Sequence, residues 1–157
     1  MNLRVLKAAM GVLSIAALSA CGGPFVAATP PGFVVFDKLY DDDEYRAATP
    51  DGVVLGVRAF ENDPKGDTAF WARAIENRMR EVGGYALLEK RTVTNRGGLT
   101  GTQFRFGHDE GTRPHLYWLT VFSTEDQVFL LEAGGTKEEM TRQEAQLDWS
   151  VRNFLQR

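Results

Sequence analysis

His115-Leu116-Tyr117-Trp118-Leu119-Thr120-Val121-Phe122-Ser123-Thr124 carries apolar side chains on both sides of an extended chain: Leu116, Trp118 and Phe122 alternate one way, Tyr117, Leu119 and Val121 the other. A strand apolar on both faces needs cover on both faces. Gln127-Val128-Phe129-Leu130-Leu131, which follows the short break Glu125-Asp126, reads the same way. Upstream, Tyr85 to Thr94 and Leu99 to His108 are two further strand candidates, set apart by Asn95-Arg96-Gly97-Gly98 and by the loop Asp109 to Pro114. Such short links permit only antiparallel neighbours, because a parallel crossover takes about a dozen residues or more. The four segments are therefore expected to form a meander, with the charged stretch Glu89-Lys90-Arg91-Thr92 nearer an edge.

Two helices flank the meander in sequence. Asp67 stands at an N-cap position after the chain break Asn62-Asp63-Pro64-Lys65-Gly66, where its carboxylate can accept from first-turn amides. Trp71, Ala74, Ile75, Arg78, Met79 and Val82 then recur at helical spacing, and Gly83-Gly84 is the expected stop. After Gly134-Gly135, Thr136 and Glu139 make a capping box that opens a second helix, expected to run from Thr136 to Gln156 with Met140, Leu147, Val151, Phe154 and Leu155 facing inward. Before the first helix, Glu44 to Thr49 and Gly52 to Phe60 flank the turn Pro50-Asp51-Gly52 as an antiparallel hairpin, and Phe33 to Leu39 adds a short strand. The expected fold class is α+β: an antiparallel sheet of about six to seven strands with a helix on each face. The acidic run Asp41-Asp42-Asp43-Glu44 lacks the alternating oxygen ligands and sharp-turn glycine of a calcium loop and reads as a solvated turn.

This order of elements resembles the Mog1p/PsbP-like fold, an α/β/α sandwich also seen in DcrB-type bacterial lipoproteins. The likeness is carried by Asp43-Glu44-Tyr45-Arg46-Ala47-Ala48-Thr49-Pro50-Asp51-Gly52 leading into a strand, Phe70-Trp71 opening the first helix, and Asp148-Trp149-Ser150-Val151-Arg152-Asn153-Phe154 closing the second. It covers about Tyr40 to Arg157. What the resemblance implies is a small noncatalytic protein that binds or assists other proteins, with no shared catalytic residue.

The amino terminus has the three-part build of a signal peptide: Arg4 and Lys7, an apolar run from Ala8 to Leu18, then small residues. The run is shorter than the ~20 apolar residues a membrane span requires. Leu18-Ser19-Ala20-Cys21 resembles the lipobox of bacterial lipoproteins. The resemblance implies cleavage after Ala20 and a lipid thioether on Cys21, the only cysteine of the chain. The alternatives are an ordinary secretory cleavage site or an uncleaved anchor. Residue 22 is glycine and not aspartate, which is similar to lipoproteins passed to the outer membrane, facing the periplasm, in Gram-negative cells. The expected division is a signal peptide over 1–20, the lipidated cysteine and a flexible Gly/Pro-rich tether over 21–32, and one globular domain over 33–157.

The chain has 157 residues and a formal net charge of −3. Removing residues 1–20 leaves 16 basic against 21 acidic side chains, too few positive charges for a nucleic-acid footprint. No Gly-x-Ser-x-Gly elbow, phosphate loop or dinucleotide fingerprint occurs, so no cofactor and no enzymatic activity are expected. Chemistry is most plausible at His108-Asp109-Glu110 and His115, which bring two imidazoles and two carboxylates around one hairpin loop. Their spacing is not that of a helical zinc site, and an exposed polar loop is the plainer reading. Phe104 and Phe106, alternating along a strand otherwise rich in Thr100, Thr102 and Gln103, are the expected members of any exposed aromatic patch. The leading expectation is a membrane-anchored envelope lipoprotein that docks another envelope protein. A small-ligand or metal-binding lipoprotein using the His108 to His115 loop is the alternative.

Overall fold

The computed structural model of the protein describes residues 23–36 and 44–157. The signal segment, Cys21 and the acidic residues Asp41, Asp42 and Asp43 lie outside the described residues. In chain order the elements are β1 (Phe25–Val26), β2 (Val34–Val35), β3 (Glu44–Ala48), β4 (Val54–Glu61), α1 (Thr68–Asn77), β5 (Ala86–Thr94), β6 (Thr100–Glu110), β7 (Arg113–Ser123), β8 (Gln127–Thr136), α2 (Lys137–Arg142), α3 (Glu144–Asn153) and β9 (Leu155–Gln156). Seven strands form one antiparallel sheet in the order β2-β3-β4-β8-β7-β6-β5, and β1 pairs with β9 beside it. The meander β5 to β8 forms as expected, and the β3–β4 hairpin joins it through β8.

Both faces of β7 are covered. On one, Phe104, Phe106, Leu119, Val121 and Val128 pack beneath Trp71, Ala72, Ile75 and Met79 of the α1 segment. On the other, Trp118, Phe122, Phe129 and Leu131 pack beneath Met140, Leu147, Val151 and Phe154. This second interface also holds charge. The Arg105 guanidinium lies 3.8 Å from the centre of the Trp118 ring and bonds Glu144 at 2.6 Å and Asp148 at 3.2 Å, while Arg91 bonds the same Asp148. These carboxylates come from α3 and the cations from the sheet, so the pairs set the position of the helix on the strands as well as contributing energy.

Four expectations change. The α1 helix begins at its Asp67 cap, which accepts from the Phe70 amide at 2.7 Å, but its last turn, Arg78–Val82, is a π-turn. A π-turn spends one extra residue per turn and rotates the face that follows. Val82, within that turn, therefore points to solvent; in the regular part of the helix before it, Ala72 is the buried residue and Ala74 is exposed. Gly134 and Gly135 lie inside β8 and do not break it. A Cβ at Gly134 would stand 3.3 Å from the Tyr117 ring, and one at Gly135 would stand 3.2 Å from Val53, so close cross-strand packing explains both.

The final helix is not continuous to Gln156. The Thr136 hydroxyl caps the Glu139 amide as expected, but the helix breaks at Gln143 and ends at Asn153. Phe154 is extended, which drives its ring into the core, and Leu155–Gln156 then pairs with Phe25–Val26. That pairing corrects the expected tether over 21–32. Phe25 is buried against Phe129 and Phe154, so the packed structure begins about eight residues before Phe33.

Candidate functional site

α1 covers only half of its face of the sheet, lying over β6 and β7. Among the described residues, no helix lies over the other half, built by β2, β3, β4 and the end of β8. Strand alternation decides which side chains stand there. Val34 pairs with Ala48, Ala48 with Val54, and Val54 with Gly134, which puts one row across four strands on the same face. Val34 is 63% exposed, Val54 43% and Phe36 44%. At the far end of β4, Phe60 meets the Trp71 ring edge-on at 5.6 Å, and Phe70 continues the apolar surface. Gly56, paired with Glu132, contributes no side chain and leaves the middle of the face low.

A polar group occupies that middle. Arg58 on β4 donates to both carboxylate oxygens of Glu132 on β8, from Nε at 2.9 Å and from Nη2 at 2.8 Å. The Tyr117 hydroxyl on β7 donates to the same carboxylate. Together with Arg46, Val54 and Gly134 these residues line a shallow depression of about 150 Å³. The bidentate pair is the geometry in which arginine binds carboxylate most strongly. The hydrogen bond to Glu132 raises the Arg58 pKa, with burial acting in the opposite direction. Burial first, and then the negative charge of Glu132, push the Tyr117 phenol well above the usual tyrosine range.

A phenol that stays protonated in the fold gives a pH signature. The unfolded side chain ionises near pH ~10, so the native state binds more protons above that point and its stability falls as pH rises. Tyr117→Phe should remove this contribution. Denaturant titrations from pH 8 to 11 are expected to show an alkaline loss for the parent steeper by up to about 1.4 kcal/mol per pH unit than for the variant. Equal slopes would mean that the phenol ionises freely in the folded protein.

The residues singled out from sequence fall elsewhere. Phe104 and Phe106 are both 0% exposed, so they form no surface patch. They alternate on the face that α1 covers, stacked on each other at 5.7 Å, and belong to the core. His108 and His115 do stand directly opposite each other across the β6–β7 hairpin, because the strands run on to Glu110 and Arg113 and the turn shrinks to Gly111-Thr112. Gly111 takes the left-handed conformation this turn requires, at φ +64°. The His108 ring lies against Tyr85 at 4.9 Å, and His115 Nδ1 is 3.1 Å from the Arg113 carbonyl. Asp109 is exposed, and among the described residues no three histidine, cysteine or acidic side chains gather into a metal-holding group. Cys21 lies outside the described residues.

The open half-face was missed because its parts are unremarkable in sequence. Val34, Val54 and Glu132 come from three separate elements, and nothing local distinguishes them. Only the pairing of β4 with β8 puts Arg58 and Glu132 together.

The chain matches no protein-family model and no curated protein, but it is similar to several solved structures. A PsbP protein from Synechocystis superposes with a TM-score of 0.56 at 10% identity, over 85% of this chain and 87% of that one. A variant of Mog1 gives 0.55 at 13% identity, over 83% and 89%. LpqN from Mycobacterium tuberculosis, described as involved in cell envelope biogenesis, gives 0.55 at 11% identity, over 88% and 87%. At these identities the likeness is one of fold, and the chain has the Mog1/PsbP-like architecture.

Proposed function

We propose that this chain is a noncatalytic envelope lipoprotein, held to a membrane by lipid on Cys21, whose domain binds another envelope protein through the open half of its sheet. The observation that carries the binding role is the row of exposed apolar residues, Val34, Phe36 and Val54, beside the Arg58–Glu132–Tyr117 group. Apolar residues contiguous on a sheet face, next to an ordered polar group, are the composition of a protein-recognition surface. The partner presents an apolar surface to this row. The lipobox-like Leu18-Ser19-Ala20-Cys21 supports the anchor, since two or three acyl chains hold a soluble domain at a bilayer. An envelope protein among the structural neighbours supports the setting.

The test uses a photo-crosslinking amino acid in living cells. Placed at Val54 it is expected to yield one discrete adduct in the membrane fraction. Placed at Arg73, on the exposed side of α1, it should yield none. Adducts of equal yield at both positions, or none at Val54, overturn the binding face. In the same cells Cys21→Ser should abolish fatty-acid labelling and leave an unprocessed precursor, and retention of label would remove the anchor.

A further inference from the structure

We propose that two copies of this chain pair antiparallel along the free edge of β5, about a two-fold axis at Thr92, and so join their sheets into one. β5 ends the seven-stranded order, and among the described residues no strand pairs with its outer side. The opposite edge strand, β2, has two residues, whereas β5 has nine. The Asn95 amide donates to the Leu99 carbonyl at 3.0 Å, which makes these two a hydrogen-bonded pair of the β5–β6 hairpin. Antiparallel alternation then turns the backbone groups of Arg91 and Val93 toward β6, and those of Lys90, Thr92 and Thr94 away from it. The last three residues are exposed, so β5 presents a regular row of backbone donors and acceptors on its outer side. The bulge between Leu87 and Glu89 ends that row.

The side chains select both the occupant and the register. A two-fold axis normal to the sheet keeps every side chain on its own face, so facing residues differ by an even number and the axis falls at one residue. An axis at Lys90 or Arg91 sets that cation directly opposite its own copy, and an axis at Val93 sets Lys90 opposite the partner's Arg96. Like charges so placed repel. An axis at Thr92 sets Thr92 opposite the partner's Thr92, Lys90 opposite the partner's Thr94 and Arg91 opposite the partner's Val93. No like charges face each other, and a threonine pair stands at the centre. The same register brings Glu89 level with the partner's Asn95. Arg152 stands at the level of Asn95, because its carbonyl accepts from the Arg96 amide at 2.6 Å and its side chain lines a groove of about 240 Å³ with Val93 and Thr94. Glu89 is exposed, 3.5 Å from Arg105 on the α3 side of the sheet, and Arg152 is exposed on α3 itself. Each copy's Glu89 therefore faces the partner's Arg152, so the contact is self-complementary in charge. The open halves of both sheets lie at the far edges and face the same way, so this contact is independent of the binding role proposed for them.

The test is made on the full-length protein in isolated membranes and in detergent extract. Under mild oxidation Thr92→Cys is expected to form a disulfide-linked dimer, since the Cα atoms of a hydrogen-bonded pair stand about 5.5 Å apart. Mass spectrometry should identify the link as residue 92 to residue 92, whatever the state of Cys21. Lys90→Cys should form none, because its two copies lie about 15 Å apart in this register. Adding Arg152→Glu to Thr92→Cys should lower the yield of linked dimer on the order of fivefold, and adding Glu89→Arg to both should restore it. The pairing is overturned if Thr92→Cys stays monomeric or links to a different protein, if Lys90→Cys links equally well, or if Arg152→Glu leaves the yield unchanged.

Discussion

Phe154→Ala is expected to lower the unfolding free energy by about 3 to 5 kcal/mol. The ring is fully buried and touches three others: it stacks on Phe122 at 5.6 Å and meets Phe129 at 5.3 Å and Phe25 at 6.0 Å. Truncation removes the transfer free energy of the ring and leaves a cavity that the surrounding strands cannot close, because β7 and β8 are held by ladder bonds on both sides. The loss also reaches β1 and β9, since Phe25 packs on Phe154 and the chain leaves α3 at this residue. Urea unfolding followed by circular dichroism measures it. A loss below about 1 kcal/mol would mean that the segment after α3 does not dock in the core.

The second large effect is expected at Asn62→Ala, at about 3 kcal/mol or more. Asn62 is buried and uses both ends of its amide. Nδ2 donates to the carbonyls of Gly66 at 2.9 Å and Thr124 at 2.8 Å, while Oδ1 accepts from the Gly66 amide at 3.0 Å and from the Trp71 indole at 2.8 Å. One side chain thus joins the end of β4, the entrance to α1 and the β7–β8 turn. Alanine leaves several of these groups without partners, and each unmade buried bond costs about 1 to 3 kcal/mol, not additively. Asn62→Asp keeps the two acceptor bonds, loses both donors and buries a charge, so it should destabilise to a similar degree. Thermal melts should show both losses, together with a change in Trp71 fluorescence. A melting temperature within a degree or two of the parent would show that water replaces the amide at no cost.

Much of the architecture was legible because it depends on periodicity. The strands β5 to β8, the Asp67 and Thr136 caps and the β3–β4 hairpin follow from alternation and capping chemistry within short windows. What failed depends on partners far away in the chain. The helical wheel of α1 went out of phase at the π-turn, and the last helix stopped short because Phe154 gains more by entering the core than by completing a turn. Phe104 and Phe106 alternate as an exposed patch would, but α1 lies over β6 and β7 and buries them, while on β4 it reaches only Phe60 at the strand's end. Local sequence holds no record of which half of a sheet a helix will cover.

The amino-acid sequence alone determined that this is an antiparallel sheet with helices on both faces. That rests on patterns spanning fewer than about 20 residues, where backbone geometry restricts the choices. Only the tertiary structure decided that β4 pairs with β8, that Arg58 meets Glu132 across that pairing, and that β1 closes on β9. Those contacts bring together residues 74 and about 130 positions apart, and their stability comes from packing that forms only when the whole sheet assembles.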